Sequence, residues 1–531
     1  MIRIYNTLTK TKEEFKPVQP GKVGIYLCGP TVYKPSHIGH MVGPVIFDAV
    51  KRYLTYSGYD VKLIINITDV DDKLIAEAKN QNRSMESIAE EMTADYFGNL
   101  QAMDVFGSVD AFPKVSDHIG DIIDFVQDLI DKGFAYESEG DVYYDVGKFS
   151  EYGKLSHRSL DSMTGEGGST ADKKHTPYDF ALWKAAKQPD EPAWDSPWGK
   201  GRPGWHIECS AMSRELLGET FDIHGGGLDL VFPHHENEVA QSEARHGKPM
   251  CNYWMHNGLM QASSEVGKLG GRKTLAAPSA ERSVDRVAGD AANAPDLAAQ
   301  ELGKISKSKG SNAFSDMLKQ TAPETIRFFL LSTHYRRPID FSMERIEEVA
   351  KGLEAFYRFF KRYEKMSGKD FYRVVHSTNV HGARSGSSGG EANTGVSTPG
   401  SVNSLRQKFL DFMNDDFNTG GAIGVLFDLL RELNKLADDN KVTELNYGVS
   451  VLRELTCSVG LFITKAGMER SGMTELANDE LVGKLMALLI DLRSSARQNK
   501  DFATADKIRK DLTAIGITLE DRPDGTEWSL A

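Results

Sequence analysis

Apolar residues first cluster in two short runs that flank a longer periodic segment. Residues 23–27 and 61–67 are mainly apolar, as is typical of buried strands. Between them, residues 36–57 place apolar side chains at helical spacing, and Gly58 follows, a residue type that commonly ends helices. This order predicts a βαβ unit whose helix begins at the carboxyl edge of a parallel sheet. The unpaired N–H groups of that helix end favour a phosphate ligand.

After Met343 the apolar spacing becomes helical over long stretches, which predicts a helical bundle. The first predicted helix carries its apolar stripe on Val349, Leu353, Phe356, Phe360 and Tyr363. The second carries Leu405, Phe409 and Phe412, and the third carries Ile423, Phe427, Leu430 and Leu433. Asn418 is a candidate N-cap for the third helix. A last helix pair is predicted within residues 481–514, ahead of a short tail over 517–528.

Changes in pattern divide the chain into predicted domains within an α/β fold. A helix over 119–132 and a short strand over 141–146 interrupt the sheet sequence, which predicts an insertion, and residues 223–229 predict a glycine-rich turn. Residues 261–302 are rich in Ala, Ser, Gly and charge, which predicts a flexible insertion. The predicted order begins with a Rossmann-like parallel-sheet domain in two halves, 1–110 and 204–260, which are separated by an inserted domain at 111–203. There follow the flexible insertion at 261–302, a loop region at 303–345, an α-helical bundle at 346–470 with a disordered loop at 377–401, and a small C-terminal domain at 476–531.

Composition is that of an ordinary soluble protein. The 531 residues are 40% hydrophobic and 26% charged, and no apolar run approaches the ~20 residues that span a bilayer. Four cysteines do not make a disulfide framework, so we expect the reducing cytoplasm and no membrane association. A net charge of −13 argues against coating nucleic acid through bulk charge. A local basic face, with an ordinary solvated helix as the alternative, is predicted from Lys484, Arg493, Arg497, Lys500, Lys507, Arg509 and Lys510.

Four distant residues are candidate zinc ligands: Cys28, Cys209, His234 and Glu238. Cys28 follows the first predicted strand, and His234 and Glu238 share one face if they lie on a helix. Zinc accepts thiolate, imidazole and carboxylate together. The alternative is that the cysteines are small core residues and the His–Glu pair is on the surface.

Two further motifs are suited to binding a polyphosphate. His37 and His40 are predicted in the first turns of the first helix on one face, and Gly39 between them leaves room for a base or ribose. Their imidazoles can donate hydrogen bonds to phosphate oxygens. Lys304 and Lys307 lie in a basic loop whose ammonium groups can reach phosphates.

In this order, HIGH at 37–40 and KISKS at 304–308 resemble the HIGH and KMSKS signatures of class I aminoacyl-tRNA synthetases. Ile305 replaces the methionine, an apolar exchange of similar size. Further segments are similar to those of the cysteinyl-tRNA synthetases in particular: residues 26–33, 66–73, 204–210, 232–238, 414–419 and 501–509. The resemblance covers nearly the whole chain.

The resemblance implies a ligase that activates L-cysteine with ATP to cysteinyl-adenylate and transfers it to the 3′ end of tRNA(Cys). One zinc ion per subunit, on Cys28, Cys209, His234 and Glu238, would receive the substrate thiolate, with a closed structural site as the alternative. A soft thiolate binds zinc far better than an alcohol does, so no editing site is needed. ATP would arrive with Mg²⁺. A monomer is expected, with a dimer as the alternative.

The same resemblance implies roles for individual residues. The catalytic residues would be His37, His40, Lys304 and Lys307. ATP would contact these four together with Gly39, His224, Gly226 and Asp229. Substrate cysteine would contact Gly29, Thr68, Trp205 and Asp229, with a core position as the alternative for Trp205. Whether Thr68, His224 and Asp229 bind the amino acid or the ribose stays open. The bundle and the C-terminal domain would bind tRNA, with Trp528 exposed to stack on a base.

Three other functions compete with this one. The first is a ligase that joins cysteine to an amino sugar in thiol biosynthesis, against which the long sequence beyond Met343 argues. The second is a non-catalytic RNA-binding paralogue, which the intact histidines and lysines of both motifs disfavour. The third is a Rossmann oxidoreductase, for which the expected G-x-G-x-x-G after the first strand is missing. The segments 261–302 and 377–401 depart from the family pattern and have no assigned role.

Overall fold

The computed structural model describes residues 1–159, 171–188, 191–262, 313–375, 400–465, 476–499, 501–514, 517–522 and 525–530. The chain forms two compact units, Met1–Gly467 and Met468–Ala531. Lys304 and Lys307 lie outside the described residues. The same is true of the predicted insertion at 261–302, except for its first two residues, and of nearly all of the predicted loop at 377–401.

The elements of the two units follow in chain order. The strands are β1 (Arg3–Asn6), β2 (Thr11–Glu14), β3 (Lys22–Leu27), β4 (Asp60–Ile65), β5 (Ala135–Ser138), β6 (Asp141–Tyr144), β7 (Phe180–Ala185), β8 (Gly201–Pro203), β9 (Phe221–Gly227), β10 (Cys251–Asn257), β11 (Met260–Ala262), β12 (Ile339–Phe341), β13 (Ile517–Arg522) and β14 (Gly525–Leu530). The helices are α1 (Gly39–Tyr56), α2 (Asp72–Gln81), α3 (Met85–Ala102), α4 (Ile119–Asp131), α5 (Trp205–Leu217), α6 (Glu236–His246), α7 (Phe314–Met317), α8 (Pro323–Leu331), α9 (Met343–Ser367), α10 (Gly400–Asn414), α11 (Thr419–Asp438), α12 (Val442–Cys457), α13 (Leu476–Gln498) and α14 (Phe502–Ala514). Among the described residues, no helix is long and apolar enough to cross a membrane.

A four-stranded parallel sheet in the order β10-β9-β3-β4 forms the centre of the first unit. Leu27 at the end of β3 pairs with Ile65 of β4 and with Gly225 of β9, so the strands end at one edge. The predicted βαβ unit is confirmed, although α1 begins at Gly39 instead of Ser36. β3 and β4 are mainly apolar, as is typical of strands covered on both faces, whereas β9 and β10 also carry buried polar residues such as His224 and His256.

The predicted glycine-rich turn at 223–229 is wrong, because most of it belongs to strand β9. A Cβ atom at Gly225 would lie 2.1 Å from Cζ of Phe47 in α1. A Cβ atom at Gly226 would lie 2.7 Å from Cε1 of His235. Glycine in a strand permits this close approach of neighbouring elements, and the same composition is typical of turns.

A second, antiparallel sheet in the order β5-β6-β7-β8 lies between β4 and β9 in the chain. The predicted helix over 119–132 is α4, and the predicted strand over 141–146 is β6, which ends two residues earlier at Tyr144. The insertion into the parallel sheet is therefore present in the chain order, while the exact boundaries 111–203 stay a prediction.

The helical bundle consists of α9, α10, α11 and α12, of which the sequence predicted the first three. The predicted stripe of α9 is largely buried, including Leu353, Phe356 and Phe360. Asn418 caps α11 as predicted, since its side chain accepts the Gly421 N–H at 3.0 Å. Helix α12 was not predicted, although its Leu445, Val449 and Leu452 are all buried.

The second unit packs α13 and α14 against the antiparallel hairpin β13-β14. Its core contains Met486, Leu512, Ile517 and Leu519. Trp528 packs against this core and is only partly exposed, contrary to the expectation of an exposed ring. Arg493 is only 5% exposed and therefore does not belong to a solvated basic face.

Replacing Gly225 by Ala should destabilise the protein, because the new methyl group meets the fully buried Phe47 ring. Such overpacking typically costs about 1–3 kcal/mol, and the urea midpoint of unfolding should fall. The matched control is Gly98→Ala in α3, where a Cβ atom meets nothing within 4 Å. That variant should be neutral or up to about 1 kcal/mol more stable, and an equal effect of both changes would contradict the packing argument.

Candidate functional site

The carboxyl edge of the parallel sheet gathers the four predicted ligands from three regions of the chain. Cys28 directly follows β3, and its N–H donates to the Gly225 carbonyl at 3.1 Å, which continues the β3–β9 pairing. Cys209 lies in α5. His234 lies in the turn Val231–His235 that leads into α6, and Glu238 lies in the first turn of α6.

The four side chains meet at short distances. Cys28 Sγ lies 3.6 Å from Cys209 Sγ, 3.5 Å from His234 Nε2 and 3.6 Å from Glu238 Oε1. His234 Nε2 lies 3.0 Å from Glu238 Oε1. Metal–ligand bonds of about 2.0–2.3 Å place tetrahedral ligand atoms about 3.3–3.8 Å apart, so these atoms fit around one ion.

His235 is a further candidate ligand that the sequence analysis missed. Its Nε2 lies 3.3 Å from Cys28 Sγ and 3.9 Å from Glu238 Oε1. The ligand atoms of Cys28, His234, His235 and Glu238 all lie within 4.8 Å of one another. The only signal in the sequence was the tandem His234-His235 itself. Nδ1 of His235 is 2.7 Å from His256 Nε2, which orients the ring.

Glu238 is fully buried between two imidazoles. Its Oε2 lies 2.7 Å from Nε2 of His224, and its Oε1 faces His234. Burial raises the pKa of a carboxyl group, but His224 and His234 outweigh burial and lower the pKa of Glu238 to about 2. Burial likewise opposes the charged form of His234, while the Glu238 carboxylate raises the pKa of His234 to about 10.

The two thiols share one proton. A hydrogen bond from the Cys28 thiol lowers the pKa of Cys209 to about 6, against the effect of burial. Burial and the same hydrogen bond raise the pKa of Cys28. Near neutral pH the metal-free cluster therefore holds the Cys209 thiolate, the Cys28 thiol, the Glu238 carboxylate and the His234 imidazolium.

His37 and His40 stand at the amino end of α1, at the same edge of the sheet. Their rings stack with centroids 3.8 Å apart. Nδ1 of His37 accepts the Gly39 N–H at 3.0 Å, and Nδ1 of His40 accepts the His37 N–H at 3.1 Å. A neutral ring whose Nδ1 accepts carries its proton on Nε2, so both imidazoles are donors at Nε2. The predicted helix start was too early, and the two rings meet by stacking at the helix entrance.

The described segment that begins at residue 313 starts beside the first motif, HIGH at 37–40. The N–H of Phe314 donates to the carbonyl oxygen of Ser36, the residue before His37, at 2.7 Å. Lys307 precedes Ala313 by six residues. The described chain after the second motif therefore begins next to the residue that precedes His37.

Gly29, Asn66 and Thr68 line the adjacent part of the edge. The Gly29 N–H donates to Asn66 Oδ1 at 2.7 Å, and a Cβ atom at Gly29 would lie 1.7 Å from the Asn66 carbonyl oxygen. The Thr68 hydroxyl donates to Oε2 of the buried Glu208 at 3.1 Å. Asn66 Nδ2 donates to the Thr68 hydroxyl oxygen at 3.3 Å. The sequence analysis did not identify Asn66 or Glu208 as part of the site.

Trp205 borders the metal cluster. Its ring stacks on His234 with centroids 4.3 Å apart, and the residue is 39% exposed. The alternative of a buried core tryptophan is therefore wrong. Asp229 follows β9, and its Oδ1 occupies the space into which a Cβ atom on Gly227 would project, at 2.4 Å.

Comparison with known proteins covers the whole chain. Residues 14–269 match the family of tRNA synthetases class I (C) catalytic domains, residues 408–463 the DALR domain, and residues 486–528 the cysteinyl-tRNA ligase anticodon binding domain. The cysteine–tRNA ligase of Geobacillus thermodenitrificans is 43% identical, over 99% of this chain and 98% of its own length. That of Bacillus pumilus is 41% identical, over 99% of both. The chain belongs to the cysteine–tRNA ligase family.

Solved structures agree with the fold of this family. Methionyl-tRNA synthetase of Mycobacterium tuberculosis in complex with methionyl-adenylate has a TM-score of 0.52 at 13% identity, covering 88% of this chain and 94% of its own. The LeuRS–tRNA–LeuAMS ternary complex of Agrobacterium radiobacter has a TM-score of 0.54 at 10% identity, covering 86% of each chain. The predicted fold class, a Rossmann-like parallel sheet followed by a helical region, is confirmed.

Membership of the cysteine–tRNA ligase family disfavours the amino-sugar ligase, because the similarity continues through the DALR and anticodon binding domains. The predicted ATP contact of His224 stays a prediction. Its ring is fully buried, and its two nitrogens face the Tyr26 carbonyl oxygen at 3.2 Å and Glu238 at 2.7 Å. In the structure, His224 therefore positions Glu238.

Metal uptake by this cluster should release protons from Cys28 and His234 and none from Cys209. The first two are protonated in the metal-free protein near neutral pH, whereas the pKa of Cys209 is already about 6. Because the pKa of His234 is raised to about 10 and that of Cys28 is also raised, apparent metal affinity should rise with pH from neutral into the alkaline range. Calorimetric titration in buffers of different ionisation enthalpy measures the release.

The control for this titration is Cys251→Ser at the opposite edge of the sheet, which should release the same protons. Cys251 begins β10, and its Sγ faces the Tyr253 carbonyl oxygen. Metal uptake by the parent protein without proton release would contradict the assigned protonation states.

Proposed function

We propose that this chain charges tRNA(Cys) with cysteine in two steps. The cysteine carboxylate first attacks the α-phosphate of ATP, which gives cysteinyl-adenylate and pyrophosphate. The terminal ribose hydroxyl of tRNA then attacks the adenylate carbonyl and releases AMP. One observation carries the proposal: the partly buried Cys28 meets the buried Cys209, His234 and Glu238 at the sheet edge where the two histidines stand at the amino end of α1.

The cluster is the proposed zinc site, one ion per subunit, with Cys28, Cys209, His234 and Glu238 as ligands. The separations of 3.0–3.6 Å and the donor types fit zinc. Bound zinc would supply a soft Lewis acid that prefers the thiolate of cysteine to the hydroxyl of serine. We propose His234 and not His235 as the imidazole ligand, because Nε2 of His234 lies 3.0 Å from Glu238 Oε1 and Nε2 of His235 lies 3.9 Å from it.

The remaining contacts to cysteine are assigned by what each group offers. Thr68 gives its only proton to Glu208, so it presents an oxygen lone pair to the substrate ammonium group. The carboxylate of Asp229 offers a second acceptor for the ammonium or for a ribose hydroxyl. Trp205 would close the side of the pocket above His234. Gly29 would contact the substrate through its backbone, because it has no side chain and packs closely on the Asn66 backbone.

ATP would lie across the amino end of α1. His37 and His40 donate from Nε2 to the phosphate oxygens, and Gly39 leaves room for the nucleotide. The helix dipole adds to this attraction for negative charge. Gly226, near the end of β9, would line the side of the site that takes the base. Lys304 and Lys307, with Mg²⁺, would neutralise the pyrophosphate that leaves.

Transfer of labelled cysteine to total tRNA by the purified protein, with ATP and magnesium, tests the proposal. We expect charging with cysteine and none with serine at equal concentration. Cysteine-dependent ATP consumption without charged tRNA would instead support the amino-sugar ligase. RNA binding without ATP consumption would support the non-catalytic paralogue.

Replacing Cys209 by Ser should remove zinc and cysteine activation together. An alcohol is a far poorer zinc ligand than a thiolate, so zinc content by atomic emission should fall well below one per subunit. Cysteine-dependent exchange of pyrophosphate into ATP should fall with it. The matched control is Cys251→Ser, which should keep both, and full zinc content in the Cys209 variant would refute the ligand assignment.

A further inference from the structure

Asp416 is a fully buried carboxylate that the proposed chemistry does not use. It lies in the turn between α10 and α11, inside the segment that matches the DALR domain. Asp416 and the next residue, Phe417, both have left-handed backbones, with φ of 65° and 48°. Residues other than glycine adopt this conformation only where surrounding contacts hold it. The contacts of Asp416 show what holds the turn.

Asp416 joins the bundle to two segments of the catalytic half. Its Oδ1 accepts the Tyr5 N–H at 2.8 Å and the Tyr335 hydroxyl at 2.7 Å. Its Oδ2 accepts Arg336 Nε at 2.7 Å, and the Arg336 guanidinium lies 4.2 Å from the centre of the Tyr5 ring. The Asp416 N–H donates to the Arg3 carbonyl oxygen at 2.9 Å. One side chain therefore fixes β1 and residues 335–336 against the bundle.

Residues 335–337 are in turn locked to the end of the parallel sheet. The Tyr335 carbonyl oxygen accepts the Gly258 N–H at 2.7 Å, directly after β10. A Cβ atom at Gly258 would lie 2.1 Å from the Arg337 carbonyl oxygen, so the two backbones are in close contact. β12 then pairs in parallel with β11, the last described strand before the stretch that carries Lys304 and Lys307.

The catalytic half has a second, separate joint to the bundle through α1. Asp48 pairs with the buried Arg327, which also donates to the Val459 carbonyl oxygen at 3.1 Å. The Tyr53 hydroxyl lies 3.0 Å from Asn414 Oδ1. The Tyr53 contact lies two residues from Asp416, but the Arg327 contacts hold α1, and with it the histidine pair, without the Asp416 side chain.

We infer that Asp416 is a positioning residue for the second step, in which tRNA takes the cysteinyl group. The inference rests on the proposed function. The cysteine and ATP groups that the structure describes lie on the sheet edge and on α1, and none of their hydrogen bonds or ion pairs reported above involves Asp416. In the proposed function the bundle holds the tRNA while the adenylate lies at the sheet edge, so the contacts of Asp416 help to set the distance between the terminal ribose and the adenylate. A misplacement of about 1 Å between reacting groups costs about a hundredfold in rate, so loosening this joint affects transfer more than activation.

The test compares Asp416→Asn with Asp415→Asn. The first change keeps the size of the side chain but leaves Arg336 without its carboxylate partner. Asp415 is the matched control, because it makes a partly exposed ion pair with Lys12 at 3.0 Å. Two assays are run on each variant: cysteine-dependent exchange of pyrophosphate into ATP without tRNA, and charging of tRNA with cysteine.

For Asp416→Asn we expect charging to fall by about tenfold or more, while exchange stays within about threefold of the parent. Asp415→Asn should leave both unchanged. An equal fall in exchange and charging, or unchanged charging, would overturn the inference. A parent protein that exchanges pyrophosphate but never charges tRNA would contradict the proposed function instead.

Tyr335→Phe serves if Asp416→Asn does not fold. It removes one hydrogen bond to Asp416 and leaves the carboxylate and Arg336 in place. The same split between charging and exchange should appear with a smaller amplitude. Charging equal to the parent in this variant would overturn the inference.

Discussion

The buried carboxylate of Glu238 is the constraint on which the rest of the site depends. An ionised carboxylate inside a protein is strongly destabilising unless partners replace its water. Here His224 from β9 and His234 from the turn before α6 supply those partners, at 2.7 and 3.0 Å. The contacts that stabilise the Glu238 charge therefore fix the position of α6 on the sheet. It also places His234 where the two cysteine sulfurs can meet it.

Close backbone packing is the second requirement, and glycine provides it. Gly225 and Gly226 bring α1 and His235 against β9 without intervening side chains. Gly29 lets the loop after β3 lie against the loop after β4, where only 1.7 Å would separate a Cβ atom from the Asn66 carbonyl oxygen. Three elements can thus deliver polar side chains into one small volume. Larger residues at these positions would separate the ligands that the carboxylate has aligned.

Elements with a strong periodic signal were predictable from the sequence, and so were the ligand types. The strands β3 and β4, the helix α1 and the stripe of α9 follow from local apolar spacing. The proximity of Cys28 to Cys209 was suggested by resemblance and not by local pattern.

Strand β9 was mistaken for a turn, because glycine is typical of turns. The glycine at 225 is needed here for close contact with Phe47, a residue of another element, and local sequence does not show such a contact. The supporting residues His224, His235 and Asn66 act through neighbours that are remote in sequence, so no spacing rule predicts them. The tautomers of the histidine pair also require the structure, because they follow from which backbone N–H each Nδ1 accepts.

The sequence separation of the ligands shapes how the metal site can form. Cys28 and Cys209 are 181 residues apart, so no short segment of the chain can chelate a metal as a zinc finger does. The pairing of β3 with β9 must exist before Cys28 and Glu238 face each other. The inserted antiparallel sheet lengthens the connection between β4 and β9. The distances between the ligands are nevertheless set by the register in which β3 pairs with β9. A site that depends on completed tertiary structure in this way binds metal only in the folded protein, and metal binding therefore stabilises the assembled sheet.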